Sequence, residues 1–170
     1  MSKTLAFAVV LALAATACDS GQKTSTNSGA TIDTAKIKSL HRGEMAAVAA
    51  YDDAIAKTDE ASFKATHDRI RKEHADAVAL LRDRVSAVGA TPDTSAGPWG
   101  GFAEAWATMG ATISDAGGRD ALKAGEKHGI DEYESALKSD KVDADTKTLI
   151  RDKLLPQQRQ HVADLEALKK

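Results

Sequence analysis

GEMAAVAAY occupies residues 43–51 and GEKHGIDEY residues 125–133: the same Gly-Glu followed at the same distance by Tyr, in two remote parts of one chain. With about 3.6 residues per α-helical turn, a step of seven is almost two turns, so Glu44 shares a stripe with Tyr51 and Glu126 with Tyr133. Outward from the first copy, Ile37, Leu40, Glu44, Val48, Tyr51 and Ile55 recur at steps of three and four, which predicts an amphipathic helix over 35–57. Phe63, His67, Ile70, His74, Val78, Leu81 and Val85 carry the same period over 59–88. VGATPDTSAGPWGG (88–101) breaks it with Gly and Pro and reads as a loop. A short helix carrying Phe102, Trp106 and Met109 is expected in the crossover, before Gly117 and Gly118. The second copy sits in a helix over about 119–138, through Leu122, Glu126, Gly129, Tyr133 and Leu137. A fourth helix, capped by Asp143 or Asp145, carries Leu149, Ile150, Leu154, His161, Leu165 and Leu168. Pro156 should kink it one turn before His161. The fold class is therefore all-α.

Loop lengths choose the topology. Helices one and two, like three and four, are joined by short turns, so each pair should form an antiparallel hairpin. The roughly thirty residues between the hairpins allow a crossover, as in ferritin-like bundles. The repeat agrees with this: Gly-Glu and Tyr lie in the first helix of each hairpin, and His74 and His161 in the second, each followed at seven residues by Leu81 or Leu168. Such a duplicated hairpin presents two Glu and two His to one central axis.

Glu and His converging between helices invite a metal reading. Ferritin-like carboxylate proteins take one Glu from each of two helices and Glu-x-x-His from each of the other two, because side chains three apart point the same way. Glu44 and Glu126 match the lone Glu positions, and His74 and His161 the histidines. Tyr51 resembles the Tyr that follows the first Glu by seven in bacterioferritin-type sites. Three residues before the histidines, however, stand Arg71 and Gln158. An intact di-iron site is not expected, since two iron ions need about four carboxylates to offset their charge. One divalent ion, Zn²⁺, Mn²⁺ or Fe²⁺, held by Glu44, His74, Glu126 and His161 remains open. The alternative is a metal-free polar layer in which Arg71 pairs with a core Glu while Tyr51, Tyr133 and Gln158 complete the hydrogen bonds. The missing carboxylates favour the polar layer. Of the other histidines, His67 is expected to be partly solvated near a bundle end, and His41 and His128 to lie on the surface.

WATMGATISDAGGRDALKAGEKHGIDEYESAL (106–137) and LIRDKLLPQQRQHVADLEAL (149–168) carry a wider resemblance. Through Trp106, Gly125-Glu126, Tyr133 and Ala136-Leu137, the stretch from about Ile37 to Leu168 resembles a bacterial family of ferritin-like four-helix bundles whose function is unassigned. The resemblance implies the bundle and supplies no reaction.

The N-terminal end reads differently. Residues 1–17 have Lys3, an apolar run from Leu5 to Ala14, and then small residues, a secretory signal layout too short to span a membrane, which takes about 20 apolar residues. AATAC (14–18) resembles a bacterial lipoprotein cleavage box, with Ala15 where Leu is commoner, and implies a lipidated Cys18. Asp19 resembles an inner-membrane retention signal. The expected location is the periplasmic side of the cell envelope, lipid-anchored; plain secretion with a free thiol is the alternative. Residues 18–34 read as lipidated Cys and flexible tether, small and polar, leaving 35–170 as one domain. A single Cys excludes an intramolecular disulfide. Lys+Arg 23 against Asp+Glu 25, interspersed, argues against a nucleic-acid partner, as do only two Tyr, two Trp and three Phe. Two functional classes follow: a tethered, non-enzymatic bundle that works through its surface, or a metal-binding or redox-stress protein with a reduced ferritin-like site. A homo-oligomer stays open, because apolar helix faces serve a core or a dimer seam equally well.

Overall fold

The computed structural model describes residues 31–97 and 115–168. Helix α1 (Thr34–Lys57) begins where Asp33 accepts a hydrogen bond from the Lys36 backbone N–H at 3.0 Å, satisfying one of the amides a helix start leaves open. The turn 58–60 reverses the chain into α2 (Ala61–Ala87). That helix closes at Gly89, whose φ of +80° only glycine adopts without strain, while Ala90 N–H reaches back to Val85 C=O at 3.1 Å. Residues 88–97 are non-helical, as their Gly and Pro content predicts. This segment runs beside α1, where Asp93 pairs with Arg42 at 2.7 Å and Lys38 at 3.1 Å. The segment expected to hold a short helix around Phe102, Trp106 and Met109 lies outside the described residues, as do the signal-like stretch and Cys18.

Helix α3 (Asp115–Lys138) carries the second Glu and Tyr. Of the two candidate caps for the next helix, Asp143 is the one used: it accepts from the Thr146 backbone N–H at 3.0 Å and opens α4 (Ala144–Leu149). The backbone then continues, still right-handed helical, through a π-helical stretch (Ile150–Leu154) into α5 (Leu155–Ala167). The sequence leads one to expect a kink at Pro156; what the chain forms there is this π turn. Proline has no N–H, and its ring crowds the carbonyl four residues earlier. Letting Leu155 N–H bond to Ile150 C=O widens the ladder just before that point. His161 and Gln158 therefore project from a helix locally rewound at their own entrance.

The elements form an all-α bundle of two hairpins, α1 with α2 and α3 with the α4–α5 rod, and no strand occurs among the described residues. Pairing of α1 with α2 and of α3 with α5 is extensive, whereas α1 and α3 meet more sparsely. The core is divided in two. One cluster gathers Leu40, Ala77, Leu81, Tyr133, Ala136, Ile150 and Leu154; the other gathers Ala50, Tyr51, Ala54, Ile70, Leu122 and Leu165. A fully buried Leu or Ile contributes about 1.5–3 kcal/mol relative to exposure, so both clusters weigh heavily in holding the helices in register. Each Tyr ring belongs to a different cluster, and the polar residues bonded to their hydroxyls lie between the two.

Candidate metal centre

Glu44 and Tyr51 descend from α1, His74 from α2, Glu126 and Tyr133 from α3, and Gln158 and His161 from α5; all are at most 5 % exposed. The repeated Glu and Tyr are partnered across the hairpins. Tyr51 of the first hairpin donates to Glu126 Oε1 of the second at 2.5 Å, and Tyr133 of the second donates to Glu44 Oε1 of the first. The step of seven thus lets each hairpin supply the hydroxyl that its partner's carboxylate needs, two helical turns along.

The histidines complete the layer. His74 donates from Nδ1 to Glu44 Oε2 at 2.6 Å and from Nε2 to Glu126 Oε1 at 3.0 Å, so it spans the two hairpins. His161 lies with Nδ1 at 3.2 Å from Glu126 Oε2 and Nε2 at 2.6 Å from Glu73 Oε2. The two imidazole rings are 4.8 Å apart, centre to centre, nearly edge to face. Glu73 leads outward, since it also accepts from Arg69 at 3.1 Å, and Arg69 reaches Asp164 at 2.6 Å.

Burial sets the charges. Desolvation alone would lower the His74 pKa, but the Glu44 and Glu126 carboxylates outweigh it and push the ring up to about 10. Burial alone would raise Glu126, but His74 and His161 outweigh it and hold that carboxyl at about 2. Glu73 is likewise lifted by burial and, more strongly, pulled below its ordinary value by hydrogen bonds from His161, Gln157 and Arg69. Both tyrosines are driven well above 10, first by burial and then by the carboxylate each one faces, so they remain neutral donors.

The donor set suits a divalent ion. His74, Glu126 and His161 offer donor atoms that all lie within 4.8 Å of one another. A tetrahedral ion with ligands at about 2.0–2.1 Å requires donors about 3.4 Å apart. The inner ring nitrogens stand 3.0 Å from Glu126 Oε1 and 3.2 Å from Glu126 Oε2, two different oxygens, so the three residues must close in somewhat from their 4.8 Å span to hold one ion. Two imidazoles and one carboxylate are also a recurrent set for Zn²⁺ and, with open positions, for Fe²⁺. Each outer ring nitrogen is held by a further carboxylate, Glu44 for His74 and Glu73 for His161. Such a carboxylate behind a ligating imidazole fixes its tautomer and aim.

Several expectations from the sequence are corrected by this geometry. Arg71 does not enter the layer: its side chain is 34 % exposed and pairs with Asp52 on α1, because a long cation can keep its head in water while its stem lies on the bundle. Glu44 stands behind His74, outside the converging His-Glu-His group. His67 is 3 % exposed, edge-on to Tyr51 and Phe63 with neither nitrogen partnered, and so is buried where partial solvation was expected. His41, expected at the surface, is 2 % exposed on the flank of α1 beside which residues 88–97 return. Desolvation lowers the pKa of both. His128 is exposed as expected, and Gln158 is buried against Gly129. Glu73 is the residue that sequence reasoning missed. It adjoins His74 and so lies about 100° around the helix, off the core stripe, where a search for Glu three residues before His does not look. The available signal was its i,i+4 spacing from Arg69, which marks a charge held at the bundle edge.

No curated protein and no solved structure gives a significant match to this chain. A family model described as Domain of unknown function (DUF2383) matches residues 33–139, which include α1, α2 and α3 and with them Glu44, Tyr51, His74, Glu126 and Tyr133. With more than half of its length matched, this chain belongs to the DUF2383 family.

Proposed function

We propose that this bundle binds one divalent transition-metal ion through His74, Glu126 and His161, and that Glu44 and Glu73 act as the carboxylates that orient the two imidazoles. The observation that carries the reading is the pairing of each outer ring nitrogen with its own carboxylate while both inner nitrogens face Glu126. A layer required only for packing has no need of two backed imidazoles aimed at one oxygen pair. Zn²⁺, Mn²⁺ and Fe²⁺ all suit the set; a bound ion would supply Lewis acidity or, for iron or manganese, electron exchange. The chain's own residues hold the arrangement: Tyr51 fixes Glu126, Tyr133 fixes Glu44, and apolar clusters pack on either side. We read the whole as a ferritin-like bundle with a reduced, mononuclear centre, supported by the Gly-Glu and Tyr repeat in each hairpin.

A metal-free polar layer is the second reading, favoured by one observation: His74 as a cation already balances the two carboxylates it touches. Metal analysis of the purified protein separates the two. The metal reading requires about one tightly held ion per chain, lost in His161→Ala; protein that carries none and takes up none after EDTA treatment would leave only the layer. We further propose that the bundle is tethered at the cell envelope through a lipidated Cys18, on the strength of the AATAC stretch. Cys18→Ser should then abolish fatty-acid labelling and leave an unprocessed precursor, and unchanged processing would refute the anchor.

A further inference from the structure

Where α1 and α3 meet only sparsely, a cavity of about 30 Å³ opens between them. A single water needs about 10–15 Å³ by this measure, so the space takes roughly two. Its walls are graded. Gly43, Ala47, Gly125 and Gly129 are partly exposed, and the Glu132 side chain at that level is 28 % exposed and bound to Lys36 at 2.8 Å. Its floor is the buried layer itself, with Glu44, Tyr51, Glu126, Tyr133 and Gln158. Among these, Gln158 stands out. It is 5 % exposed, lies so close over Gly129 that a Cβ there would meet its Nε2 at 2.5 Å, and makes no side-chain hydrogen bond among the described residues. The buried side-chain atoms without a partner among the described residues are those of His41 and His67, so the Gln158 amide is within reach of the space in this cavity.

We propose that this α1–α3 cleft is the route by which the divalent cation reaches the centre, with Glu132 as the outer collecting carboxylate and Glu126 at its inner end. The inference rests on the metal reading above and adds the entrance to it. Carboxylates at the rim (Glu132) and at the floor (Glu44 and Glu126), with room for water between them, let a cation exchange its waters in steps, without crossing a dry barrier uncompensated. The small residues of both repeats keep the passage open, and Lys36 opposes capture by neutralising Glu132. The competing entrance is the opposite face, where Arg69 bridges Glu73 and Asp164 beside His161.

Stopped-flow uptake of Co²⁺ or Zn²⁺ by EDTA-stripped full-length protein, run beside equilibrium titration, tests the route. Ala47→Leu, which fills the cleft, should slow uptake on the order of tenfold because a packed interior must open for each passage, with stoichiometry and affinity kept. Glu132→Gln should slow uptake and flatten its dependence on salt, while Lys36→Gln should speed it. Lys72→Gln, on the exposed face of α2, should leave the rate unchanged, and Arg69→Gln should not speed it. Should Ala47→Leu fail to fold, the opposite signs of Glu132→Gln and Lys36→Gln decide the matter alone. Uptake at the wild-type rate in Ala47→Leu or Glu132→Gln, or acceleration only in Arg69→Gln, overturns the route and leaves the metal site standing. A wild type that binds no ion overturns both.

Discussion

Replacing Glu126 by Gln keeps the shape of the residue on which the layer converges and removes its charge. Glu126 accepts from Tyr51, His74 and His161, and it is 3 % exposed. In the metal-free protein its carboxyl falls from 4.5 to about 2. At about 1.4 kcal/mol for each pH unit, that corresponds to about 3 kcal/mol of folded-state stability near neutral pH. Breaking a buried ion pair from one side gives a similar range, about 3–5 kcal/mol, because it strands the partner charge, here the His74 imidazolium. The Gln amide also turns one acceptor into a donor that faces another donor. Urea unfolding of EDTA-stripped wild type and Glu126→Gln at pH 6, with Asp68→Asn as an exposed control worth less than about 0.5 kcal/mol, measures the difference. An unchanged slope with a midpoint lowered by about 3 kcal/mol of stability is expected. A loss below about 1 kcal/mol would refute the claim that the Glu126 carboxylate is what compensates the buried His74 imidazolium.

Three further outcomes follow from the same contacts. Because His74 is raised above its ordinary 6.5, its contribution is complete below that pH and is lost as pH climbs towards 10; Glu126, lowered from 4.5, contributes fully above that pH and loses it towards 2. Metal-free stability should therefore peak between about pH 4.5 and 6.5, as chemical unfolding across pH would report. Tyr51→Phe and Tyr133→Phe each take a donor from a buried carboxylate and should cost about 1–3 kcal/mol. Their double variant should depart from additivity, since His74 touches both carboxylates. Gly129→Ala places a methyl where the Gln158 amide lies and should cost about 1–3 kcal/mol, recovered in Gly129→Ala with Gln158→Ala; a neutral Gly129→Ala would mean that Gln158 is free to move.

The helices were legible because their information is periodic. Ile37, Leu40, Tyr51, Ile70, Leu81 and Leu165 recur at helical steps, and each is buried. Glu44, His74, Glu126 and His161 were legible as a group for the same reason: charges on an apolar stripe are costly unless paired, so their position announces a partner. The division of labour among them was not legible. Whether Glu44 faces a metal or backs His74 depends on a ring rotation of His74, which helical spacing does not encode. Arg71 illustrates the reverse error, since its register points inward but its long stem lets the charge escape to Asp52. Glu73 escaped notice because it joins the layer sideways, from the rim of α2. The burial of His41 depends on the return of residues 88–97 beside α1, a tertiary event tied by Asp93 to Arg42 and Lys38. The π turn before His161 was not legible either, because Pro156 marks a disturbed helix without saying how its hydrogen bonds rearrange.

The most direct test of the central claim is a calorimetric titration of EDTA-stripped full-length protein with Zn²⁺, and with Mn²⁺ or Fe²⁺ under argon, for wild type, His74→Ala, His161→Ala and Glu126→Gln. Ligand bound to the folded state at a hundredfold excess over its Kd should add about 2.7 kcal/mol of stability, so thermal unfolding in the same solutions is an internal check. The account predicts saturation at one ion per chain in the wild type, with loss of that binding and of the stabilisation in all three variants. Wild-type protein without stoichiometric uptake, or variants that bind as the wild type does, would contradict it.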